Sequence, residues 1–235
     1  MEKRRHLPIG LQSFKNVRDR SCVYVDKTRF VWELAQDCHP YFLSRPRRFG
    51  KSLLISTMEH YFLAHKELFE GLAIAELEKE WIEYPVLKIS FGGAAFESSE
   101  RLESYLNYHL SVLEDKYGIT AKKQDDYGDR LNVIMETALA KTGRQVVVLI
   151  DEYDKPILDA IYTEHKEKNR TILRNFYGPL KDSEDTLRFL FITGITKVSH
   201  VNIFSGLNQL DDISLDREYS SVGGFLFLRR FYISL

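Results

Sequence analysis

The sequence predicts an α/β fold with a doubly wound, mainly parallel sheet and flanking helices. Three observations predict it. Tyr41 to Ser44 form a short strand-like run that enters a basic loop ending in Gly50-Lys51-Ser52, and a helical stretch follows. Five consecutive apolar residues, Val146 to Ile150, read as a strand buried on both faces of a parallel sheet, and they end in Asp151-Glu152. Along the rest of the chain, strand-like and helix-like segments alternate.

Taken in order, residues 22–25 read as a short strand. Asp26 or Thr28 can cap a helix that runs to about Gln36, with Phe30, Val31 and Leu34 inward. The strand at Tyr41–Ser44 and its loop lead into a helix whose apolar residues are Leu53, Leu54, Met58 and Phe62, ending near Leu63. Residues 85–91 (PVLKISF) read as a second strand. Helices are predicted over 98–117, where Leu102, Tyr105, Leu106 and Leu113 fall near a 3.6 period, and over 129–141. After Val146–Ile150, Pro156 occupies a plausible first helical position and opens a long helical stretch toward Tyr177. Residues 188–194 (RFLFITG) form the next buried strand. There are no repeats or low-complexity linkers, so residues 1–220 read as one domain.

Strand, loop and a helix opened by Gly-Lys-Ser form the context of a phosphate-binding loop. Backbone N–H groups and the helix N-terminus face the anion. The stretch comprises Arg45, Pro46, Arg47, Arg48, Phe49, Gly50, Lys51, Ser52 and Leu53. Lys51 would sit on the β- and γ-phosphates, and the Ser52 hydroxyl would ligate Mg²⁺. The full pattern G-x-x-x-x-G-K-[ST] is broken, because its first glycine falls on Arg45. Pro46 has no N–H to give. Gly-Lys-Ser by itself also fits a helix start with a solvated lysine.

The second segment supplies what the first lacks. In open α/β sheets, ligands sit beyond the carboxyl ends of strands. Asp151 there would hold the hydrated Mg²⁺, and Glu152 would orient and deprotonate the attacking water. By itself the Asp151-Glu152 pair also fits a strand-ending acidic turn helped by Asp154 and Pro156, but together the two segments predict a P-loop NTPase fold. Thr193, at the tip of the 188–194 strand, could contact the γ-phosphate or the attacking water; it equally fits an ordinary Thr-Gly turn. Arg174 and Lys181 could supply charge to the transition state, within the chain or from a second subunit, or belong to a solvated helix face.

Composition narrows the alternatives. The chain has 235 residues, 44% hydrophobic, with a net charge of −1, which exerts no global pull toward nucleic acid or membrane. Lys3 to Arg5 read as a solvated terminus. Cys22 and Cys38 fit a reducing, cytoplasmic setting without a disulfide framework. The seven histidines are scattered, and no metal-ligand spacing appears beyond the Mg²⁺ site. No apolar run is long enough to span a membrane, and the polar start is no signal peptide.

The ordered blocks PIGLQSF, YVDKTRFVWEL, YFLSRPRRFGKSLLISTMEHYF, KELFEGLAI, EYPVLKISF, VVLIDEYDKPI, ILRNFYGPLKD, LRFLFITGITK and IFSGLNQLDDISLD resemble the AAA-ATPase-like domain family over roughly residues 7 to 220. That family itself carries RPRRFGKS in place of the full glycine pattern. The resemblance implies ATP as the ligand, with Lys51, Ser52, Asp151 and Glu152 in the roles given above. It also marks Asp26, Lys27 and Thr28 as a block with no derived role beyond a helix cap. Members commonly carry a PD-(D/E)XK nuclease-like domain after the ATPase module. Here the chain departs after Asp216: residues 221–235, with VGGFLFLRRFYISL, read as a truncated or out-of-frame tail, or as a final strand.

Three functions compete. The first is an ATPase with Glu152 as base. The second is a nucleotide-held switch with negligible turnover, favoured by the missing glycine and Pro46, whose protein partners would read nucleotide state near Thr193. The third is nucleic-acid binding through Arg45, Arg47 and Arg48, against which the neutral net charge counts.

Overall fold

The computed structural model describes residues 6–37, 39–120, 126–196, 210–219 and 222. Cys38, Lys3 to Arg5 and, apart from Val222, the tail at 221–235 lie outside the described residues.

The elements run α1 (Phe14–Asp19), α2 (Thr28–Gln36), β1 (Pro40–Ser44), α3 (Lys51–Phe62), α4 (Ala73–Leu77), β2 (Val86–Ser90), α5 (Ser99–Lys116), α6 (Tyr127–Thr142), β3 (Val146–Asp151), α7 (Lys155–Asp159), α8 (Lys166–Tyr177), β4 (Leu187–Gly194) and β5 (Asp211–Asp212). The strands form one parallel sheet in the order β2-β3-β4-β1-β5. Parallel neighbours need crossovers, and helices on both faces supply them.

Alternation along each strand divides the core in two. Phe42, Leu87, Ile89, Val148, Ile150, Leu190 and Ile192 point to the face covered by residues of α5, α6 and α8, among them Leu106, Ile134 and Phe176. Tyr41, Leu43, Val86, Val147, Leu149, Phe189 and Phe191 point to the other face, against α1, α2 and α3 through Phe14, Leu34 and Met58. Every residue of β3 is buried, as a central parallel strand requires.

Two expectations change. Residues 22–25 form no strand; Val23 N bonds to the His6 carbonyl (2.8 Å), and a strand needs a sheet edge to join. The helical stretch after Pro156 is two helices, broken over 160–165. There Thr163 Oγ1 donates to the Ala160 and Glu97 carbonyls (3.1 and 3.4 Å). At the start of α8, buried Asn169 Nδ2 donates to the Pro156 and Phe96 carbonyls (2.9 and 3.2 Å). One element carries no sequence expectation: β5 pairs with β1 through Tyr41 and Phe42 although Asp211 and Asp212 are exposed.

Candidate functional site

Register brings the strand ends together. Across β1 and β4, Leu43 faces Thr193 and Ser44 faces Gly194. Ile150 faces Ile192 across β3 and β4, and Ser90 faces Asp151 across β2 and β3. The basic loop, Thr193 and Asp151-Glu152 therefore emerge side by side at the carboxyl edge of the sheet, where open α/β sheets bind ligands.

The loop closes on itself through Lys51. Its ammonium donates to the Arg45 carbonyl (2.9 Å) and the Pro46 carbonyl (3.1 Å), and the residue is 5% exposed. Pro46 has no N–H, yet its carbonyl anchors the lysine. The missing glycine is also explained. The loop takes left-handed backbone at Arg48 (φ 66°) and Gly50 (φ 78°), and Arg45 is not among the positive-φ residues, so a side chain there carries no such strain. Gly50 precedes α3 without any side-chain cap, which leaves the first-turn N–H groups to the loop's mouth. Ser52 is half-buried on that turn.

The arginines diverge. Arg45 turns from the loop's mouth toward the chain after β5: Nη1 donates to the Ser214 and Ser44 carbonyls, and Nη2 to the Tyr219 carbonyl at 3.5 Å. Beside it, Ser44 N donates to Ser214 Oγ (2.8 Å) and Ser44 Oγ to the Ile195 carbonyl (3.0 Å). Arg47 and Arg48 are exposed, and the charge of Arg47 reaches both Lys51 and Glu152. Arg174 and Lys181 are exposed on the segment that leads to Leu187 at the amino end of β4.

Asp151 is almost fully buried and accepts a 2.6 Å hydrogen bond from Thr193 Oγ1, itself fully buried. The proton that could have reached a phosphate or a water is committed to Asp151. Glu152 follows with φ at 55°, a left-handed conformation that costs a non-glycine residue about 1–2 kcal/mol. Its carboxyl group lies against Gly92, where an added Cβ would come within 3.2 Å of Cδ. Burial pushes the Glu152 carboxyl above the ordinary carboxylate range, and the Asp151 charge adds to this; Lys51, Lys155 and Arg47 oppose it. Burial also lowers the Lys51 ammonium, against the pull of Asp151, Glu152 and Asp154. The two groups therefore share one partly desolvated field, with their charges mutually compensating.

Sequence reasoning did not single out Gly92 or the role of Asp154, whose partners lie some forty residues away. The Asp26-Lys27-Thr28 block has a structural task. Asp26 Oδ1 accepts from Thr28 N (2.9 Å) and Thr28 Oγ1 (2.6 Å), and Asp26 Oδ2 from Ala73 N (2.7 Å). Thr28 Oγ1 in turn accepts from Ile74 N (3.1 Å). The block thus pins the start of α2 to the start of α4. Lys27 at the same point is half-buried; burial first, then the Arg45 charge, lower its ammonium.

Among the described residues no cluster of three or more metal-ligating side chains occurs, and no helix is long and apolar enough to cross a membrane. Cys22 is a buried free thiol.

A protein of Azotobacter chroococcum mcd 1, described as an uncharacterized protein in the vnfD 5′ region, is 42% identical over 224 residues, covering 94% of this chain and 43% of that protein. The chain thus spans less than half the length of this relative. Two structures of Drosophila ORC bound to DNA and Cdc6, one with GC-rich and one with AT-rich DNA, align over 94% of the chain and 64% and 63% of theirs. Their TM-scores are 0.44 and 0.43, at 10% and 12% identity. At that level the fold rests on the sheet order and register themselves. The family described as "Predicted AAA-ATPase" matches residues 8–204, and the chain belongs to it.

Proposed function

We propose that the chain binds Mg²⁺-ATP at its basic loop and hydrolyses it, with Glu152 as general base. One observation carries the reading: at the carboxyl edge of the sheet, a half-buried glutamate in left-handed backbone shares its field with a buried lysine and with Asp151. Strained backbone of this kind persists where the surroundings over-determine it and clusters at reactive sites.

The residues fit the nucleotide. The open first turn of α3, Lys51, Arg47 and Arg48 would take the phosphates. Ser52 and Asp151 would hold Mg²⁺, which supplies charge neutralisation at the phosphoryl group. Thr193, with its proton on Asp151, orients that carboxylate. Glu152, raised by burial, is a stronger base toward water than an ordinary carboxylate. Attack of that water on the γ-phosphorus breaks the bond to the β-γ bridging oxygen and yields ADP and phosphate. Arg45, engaged with Ser214 and Tyr219, serves the loop's shape.

The test is phosphate release from Mg²⁺-ATP by wild type and Glu152→Gln, with ATP binding measured on both. Loss of turnover by about 10²–10⁴-fold with binding retained supports the assignment. Equal turnover in the two proteins refutes Glu152 as base. Binding with no turnover in either protein favours the second reading, a nucleotide-held switch, which the loop's departure from the glycine pattern also allows.

A further inference from the structure

We infer that Asp154 is a positioning residue for Glu152: its carboxylate ties the turn after β3 to the end of β4 and so holds Glu152 in its left-handed backbone. This role rests on the reading of Glu152 as base.

Asp154 stands at the N-cap of α7, where an aspartate ordinarily accepts from the first-turn N–H groups. It does not do so here. Its carboxylate turns instead to the chain leaving β4. Oδ2 accepts from Ile195 N (3.0 Å), Thr196 N (2.7 Å) and Thr196 Oγ1 (3.0 Å), while Oδ1 shares the Ile195 N–H at 3.2 Å. The side chain is fully buried, and a buried carboxylate is tolerated only with such donors.

Tyr153 completes the connection. Its N–H donates to the Thr193 carbonyl (3.0 Å) and its hydroxyl to the Thr196 carbonyl (2.9 Å). Its ring packs so closely on Gly194 that an added Cβ there would lie 2.3 Å from Cε1. Lys155 N closes the turn on the Glu152 carbonyl at 3.0 Å. Glu152 is thus the strained residue of a turn fastened on its far side to residues 193–196. Release of Asp154 lets that turn relax toward ordinary backbone and carries the Glu152 carboxyl away from its place beside Gly92.

The experiment is steady-state ATP hydrolysis by the full chain carrying Asp154→Asn or Thr196→Val, each alone and combined with Glu152→Gln. Thr196→Val removes one donor and leaves the backbone donors. A misplaced base costs on the order of 10- to 100-fold. The expected result is a fall in kcat of that size for Asp154→Asn and a smaller fall for Thr196→Val, with KM for Mg²⁺-ATP within about threefold of wild type. Neither variant should slow Glu152→Gln further, because residues that act as a unit are not additive. Wild-type kcat in Asp154→Asn, or the same fold-loss with and without Glu152→Gln, overturns the role while leaving Glu152 as base. If Asp154→Asn does not fold, Thr196→Val decides: unchanged kcat overturns the role. No turnover in wild type removes the reading of Glu152 itself and this role with it.

Discussion

Thr193 Oγ1 donates a 2.6 Å hydrogen bond to Asp151 Oδ1, and both side chains are buried between the tips of two adjacent parallel strands. A buried carboxylate stripped of such a donor bears its desolvation cost alone. Thr193→Val should therefore lower the free energy of unfolding by about 1.5–3 kcal/mol, the usual range for a hydrogen bond to a charged group. Thr193→Ser should restore most of it. Urea denaturation of the three proteins checks this, and the Mg²⁺ concentration for half-maximal hydrolysis should rise in Thr193→Val.

Arg45 occupies the place of the first loop glycine, but its guanidinium serves Ser214 and Tyr219. Arg45→Gly restores the general glycine pattern and should still harm the protein. The expected outcome is faster amide exchange over residues 210–219 and a stability loss of about 1.5–3 kcal/mol. Affinity for Mg²⁺-ATP should change by less than about threefold, since each tenfold step is about 1.4 kcal/mol and Arg45 faces away from the loop's mouth. Hydrogen exchange beside a binding titration separates the two effects.

The raised Glu152 carboxyl gives two pH dependences. A general base must be deprotonated, so hydrolysis should rise with pH through a value above the ordinary carboxylate range. Stability runs the other way. The folded state holds the proton more tightly than the unfolded state, so this contribution is fully present below the unfolded pKa and is lost as pH rises through the folded one. Above that titration the ionised, half-buried carboxylate is a net cost. Glu152→Gln should accordingly unfold at the same temperature as wild type or higher while losing turnover. Thermal melts at two pH values on either side of that titration check the sign.

Much of the fold and of the site is legible in the amino-acid sequence. Val146–Ile150 and the strand at 188–194 are apolar enough to occupy only the middle of a sheet, and Gly-Lys-Ser after Tyr41–Ser44 marks the loop. The family blocks point to the same residues. What stays hidden depends on partners distant in sequence. β5 is two exposed aspartates, which carry no strand signal and pair only because Tyr41 and Phe42 offer an edge. The break at 160–165 contains neither Gly nor Pro, and Thr163 and Asn169 hold it through bonds to Glu97 and Phe96. Asp154 reads as an acidic turn until the chain after β4 is placed against it. Arg45 reads as a phosphate ligand until the segment after β5 draws it aside.

The central claim is a phosphate site built around Lys51, and its most direct test is the thermal stability of wild type and Lys51→Met with Mg²⁺-ATP, Mg²⁺-ADP or adenosine. Without nucleotide, Lys51→Met should be less stable than wild type, because it leaves the Arg45 and Pro46 carbonyls without their donor and Asp151, Glu152 and Asp154 without a compensating charge, so each protein's gain is read against its own nucleotide-free melt. With Mg²⁺-ATP at a hundred times its Kd, wild type should gain about 2.7 kcal/mol. Lys51→Met should gain little, and adenosine should stabilise both proteins equally and weakly. Equal stabilisation of wild type and Lys51→Met by Mg²⁺-ATP would contradict the account.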